Sequence, residues 1–231
     1  MAYLVGSIIT GCIWSLLYFL RKDVRKDMLW SSWYFFSVMT VGFVAMKLFA
    51  SVSEAQSINP GYWQPTTLFD LNSQTGGYGI EDAFFMFFIG GIAAVLFEEL
   101  FRKRIRYRAL KHRPHKAILL GVLGAAVVAA TGINLIYAVI AFGYVGAIVI
   151  WYQRPDLIQH SLLGGTAFLI TYIACYASVI LLYPGLIEQQ YNLNNISGVL
   201  LLGIPLEEYL FAFGLGLMWS PIYEYVRDVK E

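Results

Sequence analysis

Apolar residues in this chain come in long unbroken runs, without the period-two alternation of half-buried strands. Seven stretches stand out: Tyr3–Leu20, Leu29–Val52, Ala83–Phe97, Ala117–Ala130, Leu135–Trp151, Ser161–Tyr183 and Ser197–Tyr223. About 20 apolar residues cross a bilayer as a helix. The third and fourth stretches therefore need flanking residues to complete a span. Continuous runs exclude a membrane β-barrel, whose strands alternate. The pattern predicts an all-α, polytopic membrane protein with seven transmembrane helices.

Composition agrees. Of 231 residues, 58% are hydrophobic, 16% aromatic and 13% charged, with a mean hydropathy of +0.63. A soluble domain carries roughly twice that share of charge. Such a chain is no disordered tail, nucleic-acid binder or ordinary soluble enzyme. Cys12 and Cys175 lie far apart in apolar runs and suggest neither a disulfide nor a zinc site. Met1-Ala2-Tyr3 lacks the basic start of a signal peptide, so the first span is expected to be retained.

The formal net charge of +1 conceals a polarised distribution. Arg21, Lys22, Arg25 and Lys26 follow span one, and eight Lys or Arg from Arg102 to Lys116 follow span three. Arg154 follows span five; Arg227 and Lys230 follow span seven. The alternate loops Ser53–Gly79, Thr131–Asn134 and Pro184–Asn195 contain none. The positive-inside rule then places the N-terminus outside and the C-terminus in the cytoplasm. Lys47 is the exception inside a span.

The chain also repeats itself. Ile80-Glu81-Asp82 recurs as Leu206-Glu207-Glu208, 126 positions later, and the same offset pairs Phe85 with Phe211, Gly90 with Gly216 and Glu98 with Glu224. Arg25-Lys26-Asp27 pairs with Arg154-Pro155-Asp156 at an offset of 129. Spans one to three resemble spans five to seven, with span four between them. An odd connector gives both triplets one orientation, so a parallel 3+1+3 repeat is expected. Within one membrane domain, residues 1–104 would form the first repeat, 105–131 the connector helix and 132–231 the second repeat.

Glu81-Asp82 and Glu207-Glu208 most need a reason to exist. An ionisable group inside the bilayer costs about 2.5–3.5 kcal/mol even on insertion scales, and is a functional candidate by default. The second pair, preceded by apolar Ser197–Pro205, is expected to be the deeper. Pro205 is expected to break or kink the helix. Adjacent carboxyls in a low-dielectric site resist joint ionisation, so one can donate a proton and the other accept it. Helical spacing sets Phe84 and Phe85 over the first pair, and Phe211 and Gly214 near the second, beside Tyr209. An acid flanked by aromatic faces suits protonation of an alkene, with the rings stabilising a carbocation. Two other roles stay open: hydrogen bonding across helices, with or without Lys47, and a proton or cation route.

Other signals are weaker. Glu98, Glu99 and Glu224 are expected at cytoplasmic helix ends, in salt bridges with Arg102, Arg104 or Arg227. Asp23-x-x-x-Asp27 lies among four basic residues and reads as a solvated loop. His112 and His115 have no nearby ligand partners, so no metal is expected there. The basic Arg102–Lys116 segment suits anionic lipid heads. No dinucleotide fingerprint, phosphate loop or Ser-His-Asp arrangement occurs, and no cofactor is implied.

Gly203-Ile204-Pro205-Leu206-Glu207-Glu208-Tyr209-Leu210-Phe211, followed by Tyr223-Glu224, resembles the Pro-hydrophobic-Glu-Glu-x-x-Phe signature of membrane lycopene cyclases. These occur as two-subunit bacterial enzymes, fused archaeal proteins and a domain of fungal carotenoid enzymes. Glu81-Asp82-x-x-Phe85 with Phe97-Glu98 looks like its counterpart in the first half. The resemblance covers nearly the whole chain. It implies a redox-neutral β-cyclisation: an acid protonates a linear carotenoid end, an internal double bond attacks the cation, and a base removes a proton. By the resemblance Glu207 and Glu208 form the acid–base pair, supported by Glu81 and Asp82, with Phe84, Phe85, Tyr209, Phe211 and Gly214 around the substrate. The first half departs from the family, reading Gly79-Ile80-Glu81-Asp82 where Pro and a second Glu are usual. Trp63 and Phe69-Asp70 are poor matches to its Trp-Asp element.

The expected partners are a hydrophobic carotenoid or other isoprenoid and membrane lipid, with no nucleic acid; oligomeric state is left open. A second class remains: a non-enzymatic isoprenoid- or lipid-binding membrane protein, or a proton-coupled carrier using the same acids. A carrier needs water access from both sides, whereas a cyclase needs a dry cavity with an acid at its end.

Overall fold

A computed structural model describes residues 2–49, 52–101 and 115–227. The chain is mostly helical: α1 (Ala2–Leu20), α2 (Arg25–Phe49), α3 (Leu71–Thr75), α4 (Ile80–Phe101), α5 (Lys116–Ala129), α6 (Leu135–Gln153), α7 (Ile158–Leu182), α8 (Leu186–Gln190), α9 (Leu206–Trp219) and α10 (Ile222–Arg227). Among the described residues, α1, α2, α4, α6 and α7 are each long and apolar enough to cross a membrane. At 14 residues each, α5 and α9 are about 21 Å long.

The expected seventh span, Ser197–Tyr223, is corrected at both ends. Its first third is an antiparallel hairpin pairing β1 (Leu200–Leu201) with β2 (Ile204–Pro205). Leu202 and Gly203 turn it with positive φ, at 51° and 79°. Proline holds the residue before it extended, so Ile204 cannot join a helix. Pro205 marks the expected break, standing as the N-cap from which α9 starts and leaving α9 itself unkinked. Farther on, a turn at Ser220-Pro221 separates α9 from α10.

Helix α4 packs against α1 and α2, as α9 packs against α6 and α7; α4 and α7 join the two groups, while α5 lies along α6. The core is built from α4 and α9: Ile89, Ala93, Val95, Ala212, Met218 and Trp219 are all buried. In each group a tryptophan of one helix donates to a serine of the next, Trp14 Nε1 to Ser32 Oγ at 3.0 Å and Trp151 Nε1 to Ser161 Oγ at 2.8 Å. Bonded this way, indole N–H groups enter an apolar bundle without a desolvation penalty.

The segment 52–79 and the segment 183–205 meet at the end of the bundle where α4 and α9 begin. Gln64 N donates to Gln190 O at 2.7 Å, and Asn192 N to Tyr62 O at 2.9 Å. Asn134, the N-cap of α6, accepts from Ile136 N at 3.0 Å. Its amide also donates to Ala55 O and Ser57 O, each at 3.0 Å. These bonds fasten a cover over the helix starts.

Close approach of α6 and α9 demands glycine. A Cβ on Gly143 would meet the Gly214 carbonyl carbon at 2.6 Å, and backbone cannot yield there. G143L is expected to destabilise the protein by about 1–3 kcal/mol or more. G42A, in open space on α2, should be neutral or stabilising by about 0.5–1 kcal/mol. Thermal unfolding of the purified variants in detergent checks both.

Candidate functional site

Both acidic pairs open a helix. Glu81 and Asp82 fall in the first turn of α4, Glu207 and Glu208 in the first turn of α9, where helix dipoles favour negative charge. Glu81, Glu207 and Glu208 are buried, and Asp82 is partly so. Neither pair reaches Lys47, whose Nζ lies 5.7 Å from the Phe43 ring centre.

Within each pair the two acids do different work. The first member fastens the cover. Glu81 Oε1 accepts from Leu68 N at 2.7 Å, and Glu207 Oε1 accepts from Ser197 N at 2.9 Å and from Tyr137 Oη at 2.7 Å. The second member, three residues after the helix N-cap, faces inward. Asp82 and Glu208 line one apolar cavity of about 200 Å³, and Glu81 and Glu207 do not.

Glu208 sits in a cage of phenols. Tyr172 Oη donates to its Oε2 at 2.6 Å, while Tyr62 and Tyr191 donate to Oε1 at 2.7 and 2.9 Å. Tyr176 bonds to Tyr191 behind them. The donors come from α7 and from both cover segments, so closing the cover completes the carboxyl's shell. Burial and the nearby Glu208 charge push the phenols of Tyr62 and Tyr191 well above the ordinary tyrosine value of 10.0. They therefore stay protonated donors at physiological pH.

Asp82 is held otherwise. Tyr3 Oη donates to Oδ1 at 2.6 Å, and Gly79 N donates to Oδ2 at 2.6 Å. The second contact is half a capping box, an N3 side chain reaching back to the N-cap N–H. Glu208 has no such partner, because Pro205 stands at the N-cap of α9 and carries no N–H. That missing donor leaves both oxygens of Glu208 to the tyrosines.

Aromatic rings wall the cavity between the acids. Phe85 and Phe211 flank Tyr172, with ring centres at 6.3 and 5.8 Å. Trp63 meets Tyr3 edge-on at 4.6 Å. Of the aromatic and small residues expected around a substrate, Phe85 and Phe211 line the cavity. Phe84 is exposed and stacks on Phe88 instead. Tyr209 Oη donates to Leu201 O in the hairpin at 2.9 Å. Gly214 serves the contact between α6 and α9. The tyrosines were not singled out from sequence. Their one signal there is placement: Tyr172 and Tyr176 stand in an apolar run, where a hydroxyl needs a partner.

The acids at the other ends of these helices also find charged or basic neighbours. Glu99 pairs with Arg21, which also binds Asp23 at 2.9 Å. Glu98 lies 3.7 Å from His160 Nε2, near Glu224. Arg102, Arg104 and His112 lie outside the described residues. His115 Nδ1 is 3.3 Å from Tyr34 Oη.

The family model described as lycopene cyclase matches residues 2–100 and 134–226. The chain belongs to the lycopene cyclase family. It is thus an integral membrane protein of carotenoid biosynthesis, with the isomerase or cyclase activity of that family in general terms. A carotenoid substrate and a lipid surround suit the apolar cavity and the apolar helices. The two matched stretches omit α5 and carry one acidic pair each. No curated protein and no solved structure matches the chain.

Removing phenols from the cage should weaken the cyclase in steps. Hydrogen bonds to charged groups contribute about 1.5–3 kcal/mol, so Y172F is expected to slow cyclisation by tenfold or more, and Y62F/Y172F further. Y209F, whose hydroxyl lies in the hairpin, should retain near-full activity. Initial rates in membranes supplied with lycopene check the ranking.

Proposed function

We propose that this protein is a cofactor-independent lycopene β-cyclase in which Asp82 and Glu208 form the reacting acid–base pair. The observation that carries this reading is their meeting in one apolar, aromatic-lined cavity, each from the first turn of its own helix. Glu81 and Glu207, expected from sequence to share the chemistry, act instead as positioning residues that hold the cover.

The proposed cycle is redox-neutral. The carboxylic acid of Asp82 protonates the terminal double bond of a linear carotenoid end, leaving a tertiary cation. An internal double bond attacks that cation, closing a six-membered ring and moving the charge into it. Glu208 then removes a ring proton, which restores a double bond and gives the β-ring. One proton enters and one leaves, so product and substrate are isomers. The faces of Phe85, Phe211 and Tyr172 stabilise the passing positive charge. Convergence of three hydroxyl donors on Glu208 supports its role as the acceptor.

The same reading takes the chain as seven spans in a parallel 3+1+3 repeat, with the N-terminus outside. It is supported by the matching helix contacts, the paired Trp–Ser bonds and the two matched stretches of the family model. The acids and their cover then lie towards the outer surface, at the end where Lys47 stands alone among the described Lys and Arg residues.

Expression in a lycopene-accumulating bacterium tests the function. Cyclised carotenoid should replace lycopene, and unchanged lycopene despite good membrane expression would sink the reading. D82N and E208Q should each lower conversion at least a hundredfold. E81Q and E207Q should lose less, with reduced thermal stability. Full activity in E208Q alongside a dead E207Q would remove the site assignment. Cyclisation in heavy water should place one deuterium in each new ring, and D82N should abolish its entry.

A further inference from the structure

We propose that Glu98, His160 and Glu224 form a binding site for one divalent transition-metal ion, at the end of the bundle away from the cavity. This inference does not rest on the cyclase reading. The three side chains come from α4, α7 and α10. Their ligand atoms lie within 4.8 Å of one another, enclosed by protein. His160 Nε2 is 3.7 Å from Glu98 Oε1. Ligands around a tetrahedral ion at about 2.0–2.2 Å stand roughly 3.4 Å apart. Small side-chain rotations therefore bring all three onto one ion.

Independent features point the same way. Phe97 stacks on the His160 ring at 4.2 Å with planes 23° apart, fixing the direction of the imidazole. The Oε2 of Glu224 is sealed from solvent and has no hydrogen-bond partner among the described residues. Its charged neighbours among the described residues include Glu98, Asp27 and Arg154. Arg154 spends Nε and Nη2 on Asp156, at 3.0 and 2.8 Å. Two enclosed carboxylates whose oxygens lie within 4.8 Å of each other meet a mutual repulsion that a low-dielectric site screens poorly. A dication removes it.

The donor set selects the ion. One imidazole and two carboxylates suit zinc, manganese or iron(II), with a water completing the shell. Magnesium and calcium prefer all-oxygen sites. The role we assign is mechanical. Helix α4 also carries Asp82, α7 carries Tyr172, and α10 follows α9 with Glu208. An ion joining α4, α7 and α10 ties together, about 24 Å from the acids, the helices that set the cavity's width.

Tag-free protein in detergent, stripped by chelator and titrated separately with Zn²⁺ and Mn²⁺, tests the site. About one ion per chain should be retained by at least one metal, with unfolding raised by several degrees on saturation. H160Q and E224Q should each weaken that affinity tenfold or more while Y209F does not. Should H160Q fold poorly, E98Q and the ligand-field absorption of Co²⁺ on the unaltered protein give a second readout. No retained ion, no Co²⁺ bands, or undiminished binding in folded H160Q, E98Q and E224Q would overturn the proposal.

Discussion

The structure depends on one constraint: a carboxyl group that leaves water must find its hydrogen bonds in protein. In so apolar a chain the donors are few, and their positions decide how the loops lie. Tyr62 and Tyr191 reach Glu208 from cover segments far apart in sequence, and Leu68 and Ser197 offer backbone N–H groups to Glu81 and Glu207. Remove the acids and the cover keeps its backbone bonds but loses those that join it to α4 and α9. On the proposed mechanism the same groups serve folding and chemistry, a common state of polar residues inside membrane proteins.

A single backbone atom separates the two acids of the cavity. Gly79 has an N–H for Asp82 to cap, and Pro205 has none for Glu208. Asp82 is consequently pinned to its own helix start, and Glu208 is turned over to side chains from elsewhere. Two of the three bonds to Glu208, from Tyr62 and Tyr191, exist only while the cover is in place, whereas one of the bonds to Asp82 is local and persists when the cover moves. Any opening of the cover therefore alters the environment of one acid far more than that of the other.

Much of this was legible in the sequence. Long apolar runs marked the membrane helices, and the scarcity of charge made the two acidic pairs conspicuous. The Pro-Leu-Glu-Glu signature pointed to the family. What stayed hidden had physical causes. Hydropathy could not separate the Leu200–Pro205 hairpin from a helix, because positive φ at Leu202 and Gly203 leaves no mark in apolar composition. Helical spacing placed Phe84 over the acids, but which face of a uniformly apolar helix turns inward is set by packing. The phenol cage and the Glu98–His160–Glu224 cluster join residues dozens of positions apart on different elements, and no local pattern records such meetings.

The phenol cage also bears on what leaves the enzyme. A carbocation formed beside a water molecule is captured as an alcohol, and one formed where no water is free must shed a proton. Every hydroxyl that bonds Glu208 is tethered to an aromatic ring and directed at the carboxyl. Such oxygens satisfy the acid as water would, yet cannot diffuse to a cation. If Glu208 is the base, as proposed, solvating it with tyrosine rather than water favours an alkene over a hydroxylated end, so the choice of product is already present in the choice of hydrogen-bond donor.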